Sequence, residues 1–430
     1  MQGQDSSTVR VGVLGCGNVG ASVVSIIQTD ADSIAAKTGI KLEVTRVAVR
    51  NLSADRAVSL PEGILTRDAN AIATGHDVDI VVETIGGIEP ARQITLAALK
   101  SGKPVVTANK ELVANCGAEL FEAATAAGVD LHFEAAVGGG IPIMRALRKS
   151  LVGERVNKIL GIVNGTTNFI LTKMTEEGAS YADVLAEAQA LGFAEADPTA
   201  DVEGHDAGAK AAIMATIAFG QSVVPGDVFQ EGISQVSASD IEAARRLEHV
   251  IKLLAIVERA DDEVAVRVHP AMVPVAHPLA AVRDSFNAVF VEGAAVGELM
   301  FYGRGAGGFP TASAMIGDLL SAISNLKRNT ASPFGALEAA KIRPIDETSS
   351  AFYLKLEVED RPGVLAAVSS VFGNHGVSIR SMEQHGAGDS ASLVLIIHRA
   401  LESDVQATLR ELRGLESVQS VGSVMRVIGD

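Results

Sequence analysis

The sequence predicts an α/β protein that opens with a doubly wound parallel sheet and closes with a ferredoxin-like unit. Three observations lead there. The apolar run VRVGVL (9–14) feeds directly into GCGNVG and then the apolar-periodic ASVVSIIQ, which is strand, glycine turn and helix in succession. Strand-type runs then alternate with helical patterns as far as residue 137. From residue 351 the chain reads β-α-β-β-α-β.

In the first block, Gly15, Gly17 and Gly20 let the turn close and let the backbone approach a pyrophosphate. Asn18 and Val19 complete that cofactor-binding turn, and the helix N-terminus stabilises the phosphate charge. The bland alternative is a tight turn and nothing more. Further strands are expected at LEVTRVAV (42–49), DVDIVVET (77–84), KPVVTA (103–108) and VDLHFEAAV (129–137), separated by the helical PARQITLAALKSG and GAELFEAATAAG. Ligands of such sheets sit beyond the carboxyl ends of the strands. At those ends fall GCGNVG, Arg50, ETIGG with Thr84, TANK with Lys110, and EAAVGGG.

Arg50 stands where an NAD enzyme often has an acid for the ribose hydroxyls. An arginine there pairs with a 2′-phosphate, which favours NADP(H) over NAD(H). The competing reading is a surface arginine in RNLSADR. Lys110, at a strand end, is either functional or an ordinary surface lysine.

Farther on, SYADVLAEAQALG has a helix pattern capped by Ser180, with Asp183 three residues on and Gly192 as its stop. The segment from Phe193 to Gly204 is a polar loop holding Pro198. A second helix begins near His205 or Asp206 and runs through Phe219. Asp206 and Lys210 are four apart and share a helix face, so they form a plain salt bridge or part of a reactive group. Beyond Lys210 the helix AAIMATIAF is apolar on nearly every side and therefore buried. A lysine heading a buried helix is partly desolvated, which favours its neutral form and suits acid–base chemistry. Glu195 and Asp206 could meet a substrate ammonium. Asp197, Asp201 and Glu203 are assigned to loop hydrogen bonding and capping.

The charge balance, 36 basic against 52 acidic residues, gives −16 and speaks against nucleic acid or an anionic membrane as partner. Cys16 and Cys116 show no metal-ligand spacing and suit reduced core thiols. The opening MQGQDSSTVR lacks a signal-type apolar segment, and no apolar run is long enough to span a bilayer. A cytoplasmic protein is expected.

The acidic segment also carries a resemblance. Ala188, Gly192-Phe193-Ala194, Asp197-Pro198, Asp201, Gly204, Asp206 and Lys210 fit without a gap the pattern A-x3-G-aromatic-small-x-x-D-P-x2-D-aliphatic-x-G-x-D-x3-K. That pattern is similar to the signature of the homoserine dehydrogenase family. The likeness extends from residue 9 to about 330, through NGTTNF (164–169) and GRGAGGFPT (303–311).

The resemblance implies reduction of L-aspartate 4-semialdehyde to L-homoserine by a reduced nicotinamide cofactor, a step toward threonine, methionine and isoleucine. It implies Lys210 as proton donor, Lys110 as a second lysine of the same site, and Glu195 and Asp206 at the substrate's amino-acid end. Gly192 and Gly307 would lie against the cofactor. It further implies a monovalent cation, Na⁺ or K⁺, held by the carboxylate of Glu134 and the backbone carbonyls of Val137, Gly139 and Ile141. From the residues alone, GGG before Pro142 is simply a close turn.

The same resemblance divides the chain into a Rossmann-type domain (8–137, completed by a helix from 305–330), an α+β catalytic and dimerisation domain (138–325), a linker (326–350) and a C-terminal domain (351–430). In the linker, GALEAAK is expected to form a short helical piece. The C-terminal domain, with DRPGVLA at its first helix, resembles an ACT domain. Pro362 and Gly363 would let a ligand carboxylate approach that helix N-terminus, and the implied effector is L-threonine. A dimerisation module with an empty site is the alternative. A homodimer or homotetramer is expected. The competing functions are another semialdehyde or amino-acid dehydrogenase, and an amino-acid sensor on an inactive core.

Overall fold

The computed structural model describes residues 7–332, 334–335, 337–386 and 390–429. They form two compact units. One holds the chain through Val156 together with Ala212–Gly226 and Asn287–Ala340; the other holds Asn157–Ala211, Asp227–Phe286 and the chain from Lys341.

The first unit begins β1 (Ser7–Leu14), α1 (Asn18–Thr38), β2 (Ile40–Ala48), β3 (Leu65–Thr66), α2 (Ala69–Thr74), β4 (Ile80–Glu83), α3 (Ala91–Lys100), β5 (Val105–Thr107), α4 (Lys110–Ala127) and β6 (Leu131–His132). The strands pair in parallel in the order β3-β2-β1-β4-β5-β6. The order reverses between β1 and β4, which opens the crevice where such sheets bind ligands. Helices cover both faces, so the strands are continuously apolar: Val11, Val13, Ile80, Val82 and Val106 are fully buried.

Helices begin and end where the sequence has the chemistry for it. Asn109 caps α4 by accepting from the Leu112 amide, and α1 stops at Gly39, whose φ is 69°. A short helical turn, α5 (Ile143–Arg145), runs on into wider turns through Ser150.

The chain goes on with β7 (Val156–Ile162), α6 (Gly165–Glu177), α7 (Tyr181–Ala190), α8 (Thr199–Val202), α9 (His205–Phe219), β8 (Phe229–Gln230), α10 (Ala238–Arg246), β9 (His249–Ala260) and β10 (Glu263–Pro274), of the second unit except for Val156 and the part of α9 from Ala212 on. Side-chain caps start three of its helices: Asn164 for α6, Ser180 for α7 and Ser237 for α10. Losing such a cap costs about 1 kcal/mol. The chain then returns to the first unit at Asn287 and makes β11 (Phe286–Gly293) and β12 (Gly297–Arg304), side by side, and α11 (Gly308–Lys327). Ala312, Met315, Leu319, Ala322 and Ile323 of α11 share one core with Val23, Val24 and Ile27 of α1. Each large side chain so buried contributes about 1.5–3 kcal/mol.

The C-terminal part is β13 (Ser349–Glu359), α12 (Val364–Asn374), β14 (Ile379–Gly386), β15 (Ser390–Leu401), α13 (Glu402–Leu412) and β16 (Val418–Val427). Its strand order, β16-β13-β15-β14, is that of a ferredoxin-like unit, with its own core around Phe352, Leu354, Phe372 and Leu395. β16 also pairs in parallel with β10, Ala271 opposite Arg426, so one sheet runs β7-β9-β10-β16-β13-β15-β14.

Three local expectations are corrected. VDLHFEAAV yields only the two-residue β6 and then a 3₁₀ turn, Glu134–Ala136, because the Glu134 amide bonds the Asp318 carboxylate and not a neighbouring strand. The described residues of GALEAAK are not helical. Ala339 bridges Ser222, the Glu338 carbonyl accepts from the Ser222 amide, and the Ala340 amide donates back, so tertiary pairing overrides helix propensity. The loop from Phe193 to Gly204 contains α8, which Pro198 leads into.

Candidate active site

The glycine turn after β1 is built around Thr84. The Thr84 hydroxyl donates to the carbonyls of Leu14 and Gly15, at 3.0 and 3.1 Å. A methyl group added at Gly15, whose φ is +93°, would stand 2.7 Å from the Thr84 carbonyl oxygen, and one at Gly20 would stand 2.2 Å from that of Gly15. Both glycines are therefore required by packing. Gly17 is different: a methyl there would meet nothing within 4 Å, and the residue is exposed. Gly17 also caps α1 without any side-chain bond to the first-turn amides. Open ground above uncapped amides fits a pyrophosphate. Asn18 is exposed beside it and Val19 packs into the core.

A second glycine turn lies against the first. Gly307, with φ +113°, caps α11, and a methyl at Gly308 would come within 2.6 Å of Asn18 Oδ1. Arg50 is exposed just past β2, whose Ala48 carbonyl accepts from the Gly15 amide at 2.9 Å. Lys110 is the first residue of α4, three residues beyond the end of β5.

Beside that strand end lies a group the sequence reading did not single out. Glu83 is fully buried, accepts from the Thr107 hydroxyl and from the Ile85 amide (2.6 Å), and burial pushes its carboxyl up. It ties the TIGG turn to the TANK turn, and Asn109 Nδ2 adds a bond to the Gly87 carbonyl at 2.6 Å.

The Glu134 carboxylate is held by backbone amides. Its two oxygens accept from the Met144 and Arg145 amides, each at 2.8 Å, at the start of α5. Those amides have no partner inside the helix, which is why a buried carboxylate is drawn to them. Burial, and the nearby charge of Asp318, push its pKa up to about 7. The turn itself folds back, Ile141 amide to Gly138 carbonyl at 2.9 Å, and a methyl at Gly139 would stand 2.4 Å from the Gly305 carbonyl oxygen. No cluster of three or more His, Cys, Asp or Glu suited to a metal occurs among the described residues.

In the second unit, the start of α9 meets the start of α6. Lys210 Nζ donates to Asp206 Oδ2 at 2.7 Å and to the Val163 carbonyl at 2.6 Å. Asp206 is buried and Lys210 half-buried. The Asp206–Lys210 pair is thus a real ion pair, as the spacing allowed. The carboxylate expected to bind a substrate ammonium is already engaged by the lysine, because the two side chains share one helix face. Asn164 Nδ2 also reaches Asp206 Oδ2, at 2.9 Å, and Asp201 Oδ1, at 2.7 Å. Asp197 accepts from the amide and hydroxyl of Thr199, the loop role expected of it. Glu195 is exposed, its carbonyl held by Gln189 Nε2 at 3.0 Å. Gly192, with φ +75°, follows the end of α7.

The sequence reading missed Asn164, although an Asn directly before a helix is a cap signal. It also missed Lys252, buried in β9, which donates to Asn168 Oδ1 (3.0 Å) and the Val282 carbonyl. Burial lowers its pKa to about 8.

In the C-terminal part, Gly363 (φ +93°) caps α12 without a side-chain bond. The hollow above it, about 340 Å³, is lined by Asp360, Arg361, Pro362, Gly363 and Gln384.

These features have counterparts in known proteins. Residues 15–134 match the family description "Homoserine dehydrogenase, NAD binding domain", 142–320 match "Homoserine dehydrogenase", and 352–417 match "ACT domain". A homoserine dehydrogenase of Corynebacterium glutamicum is 51% identical over 430 residues, covering 99% of this chain and 96% of the relative. The chain belongs to the homoserine dehydrogenase family. Homoserine dehydrogenase activity, an NAD(P)-binding domain and an ACT regulatory domain come with that membership. The homoserine dehydrogenase of Bacillus subtilis is 43% identical over 98% of this chain and 99% of its own. A crystal structure of a homoserine dehydrogenase from Thiobacillus denitrificans superposes with a TM-score of 0.93 at 40% identity, covering 98% of each chain. A hyperthermophilic archaeal homoserine dehydrogenase, solved in complex with NADPH, covers 74% of this chain and 98% of its own at a TM-score of 0.63 and 28% identity. No helix among the described residues is long and apolar enough to cross a membrane.

Proposed function

We propose that this homoserine dehydrogenase reduces L-aspartate 4-semialdehyde with NADPH in preference to NADH, and that Lys210 delivers the proton to the aldehyde oxygen. One observation carries the assignment. An ammonium has three donors. Two of those of Lys210 are spent on Asp206 Oδ2 and the Val163 carbonyl, which fixes the direction of the third. The Asp206 carboxylate holds its aim, so the acid is oriented before substrate arrives. The reduced nicotinamide, when bound, supplies the hydride to the carbonyl carbon. As the C=O bond becomes C–O–H, the proton comes from Lys210, which takes another from solvent.

Glu195, exposed near this cluster in sequence, is assigned to the substrate ammonium. Lys110 is assigned to the cofactor edge, at the carboxyl end of β5. The preference for NADPH rests on Arg50 beside the glycine turn, and the relative solved with NADPH supports it. For a monovalent cation, the Glu134–Ile141 turn offers the backbone carbonyls of Val137, Gly139 and Ile141. An oxygen-only donor set suits a hard ion such as Na⁺ or K⁺. The uncapped α12 N-terminus suits an amino-acid carboxylate, with L-threonine as the effector. β14, an edge strand with Met382 exposed, suits pairing in a homodimer or homotetramer. A cytoplasmic location completes the reading.

The test is Lys210→Ala. Turnover should fall at least about 100-fold while NADPH quenching titrations give a near-normal Kd. Near-normal turnover would remove Lys210 from the mechanism.

A further inference from the structure

We infer that Asn164 is a positioning residue of the reaction, clamping Asp201 and Asp206 so that the Asp206 oxygen that holds Lys210 is fixed in place. The inference rests on Lys210 as proton donor.

The Asn164 amide has no freedom to do otherwise. Its Oδ1 accepts from the Thr167 amide at 2.9 Å and the Thr167 hydroxyl at 3.0 Å. A carbonyl oxygen must face a backbone N–H, so the side chain's orientation is fixed and Nδ2 must point the other way. There its two protons go to Asp201 Oδ1 and Asp206 Oδ2, both carboxylates. Asn164 is buried, so these bonds are made with little competition from water.

The arrangement joins the heads of α6 and α9 at one atom. Asp206 Oδ2 accepts from Asn164 at the head of α6 and from Lys210 one turn along α9. The Val163 carbonyl, the other acceptor of Lys210, belongs to the residue before Asn164. Both acceptors that aim the lysine are therefore positioned through Asn164 and its peptide neighbour.

The neutral donor has a second effect. Asp201, from α8, and Asp206 are two carboxylates reached by one amide group, and two such charges side by side repel each other. One N–H bond from Asn164 goes to each carboxylate, and Lys210 adds a full positive charge on Asp206. His205, next along the chain, is turned to Gln230 Oε1 at 2.7 Å. A neutral, doubly donating side chain is what the position calls for.

Capping and clamping make opposite demands, and this separates them. If Asn164 served only as the cap of α6, Asp would replace it best, since Asp and Asn are equivalent caps. If it clamps the carboxylates, Asp is the worst choice, because it puts a third carboxyl against two others.

The experiment measures kcat, KM for both substrates and the pH profile of kcat for Asn164→Asp, Asn164→Ser and Lys210→Ala in the full-length protein. Asn164→Ser keeps a cap oxygen but cannot span both carboxylates. Its kcat should fall about 10- to 100-fold, the range for a misplaced catalytic group, with KM for NADPH unchanged. Asn164→Asp should lose more at pH 7, and the acidic limb of its profile should move to higher pH as the crowded carboxyls hold their protons. An Asn164→Asp enzyme with wild-type kcat and profile would overturn the inference while Lys210→Ala remains inactive. Normal turnover in Lys210→Ala would instead overturn the reading on which it rests.

Discussion

Removing the Arg426 side chain should cost about 3–5 kcal/mol of stability, nearly all of it through one partner. Arg426 lies on β16, where the ferredoxin-like unit joins β10. Its Nε and Nη2 donate to the two oxygens of Glu402, each at 3.0 Å, and Nη1 donates to Glu231 at 3.1 Å. The guanidinium also lies 5.2 Å from the Phe229 ring centre and 5.6 Å from that of Phe352. The Glu402 side chain is 4% exposed and that of Glu231 is 44% exposed. Stripping the partner from a buried carboxylate costs about 3–5 kcal/mol, whereas the exposed link contributes at most about 1 kcal/mol. Arg426→Met should therefore lower the urea unfolding free energy by several kcal/mol, and Glu231→Gln by less than about 1. Arg426→Met combined with Glu402→Met should recover most of the loss, because no buried charge is left unpaired. Equal destabilisation of the single and the double variant would refute the argument. It would show that packing, and not the stranded carboxylate, sets the cost.

Gly15→Ala should weaken NADPH binding by at least about tenfold and lower stability by about 1–3 kcal/mol, since the position has φ +93° and its methyl would stand 2.7 Å from the Thr84 carbonyl; titration and melting check both, and unchanged binding would contradict the packed turn. Arg50→Asp should move the NADPH to NADH ratio of kcat/KM toward NADH, and an unchanged ratio would sink the 2′-phosphate reading. Lys252 gives a pH signature. Its pKa is about 8 in the fold against 10.5 for the free group, so between these values the unfolded chain holds more protons and stability rises with pH. The rise should total about 3 kcal/mol at 1.36 kcal/mol per unit, and Lys252→Met should lack it. Parallel stability curves for the two proteins from pH 7 to 10.5 would exclude the effect.

Local chemistry made much of this legible. The bounds of α9, His205 to Phe219, follow from an apolar run behind a polar start, and the Ser180 cap of α7 from its own side chain. The glycine turn was readable because its glycines, strand and helix are contiguous. The Glu134 carboxylate was not, since its partners at Met144 and Arg145 depend on how the chain turns back after β6. GALEAAK has the composition of a helix and lost it to backbone pairing with Ser222, more than a hundred residues away.

By itself, then, the sequence determined the elements whose bonds close within a few residues: the dinucleotide turn, the capped helices, the Asp206–Lys210 face and the β-α-β-β-α-β order. Tertiary structure decided what depends on distant partners. It set Asn164 against acids 37 and 42 residues on, buried Glu83 at a strand end, and joined β16 to β10 through Arg426. The physical reason is the range of the interactions. A cap or a turn is satisfied by its neighbours, whereas a buried polar group is satisfied only by whatever the finished fold brings to it.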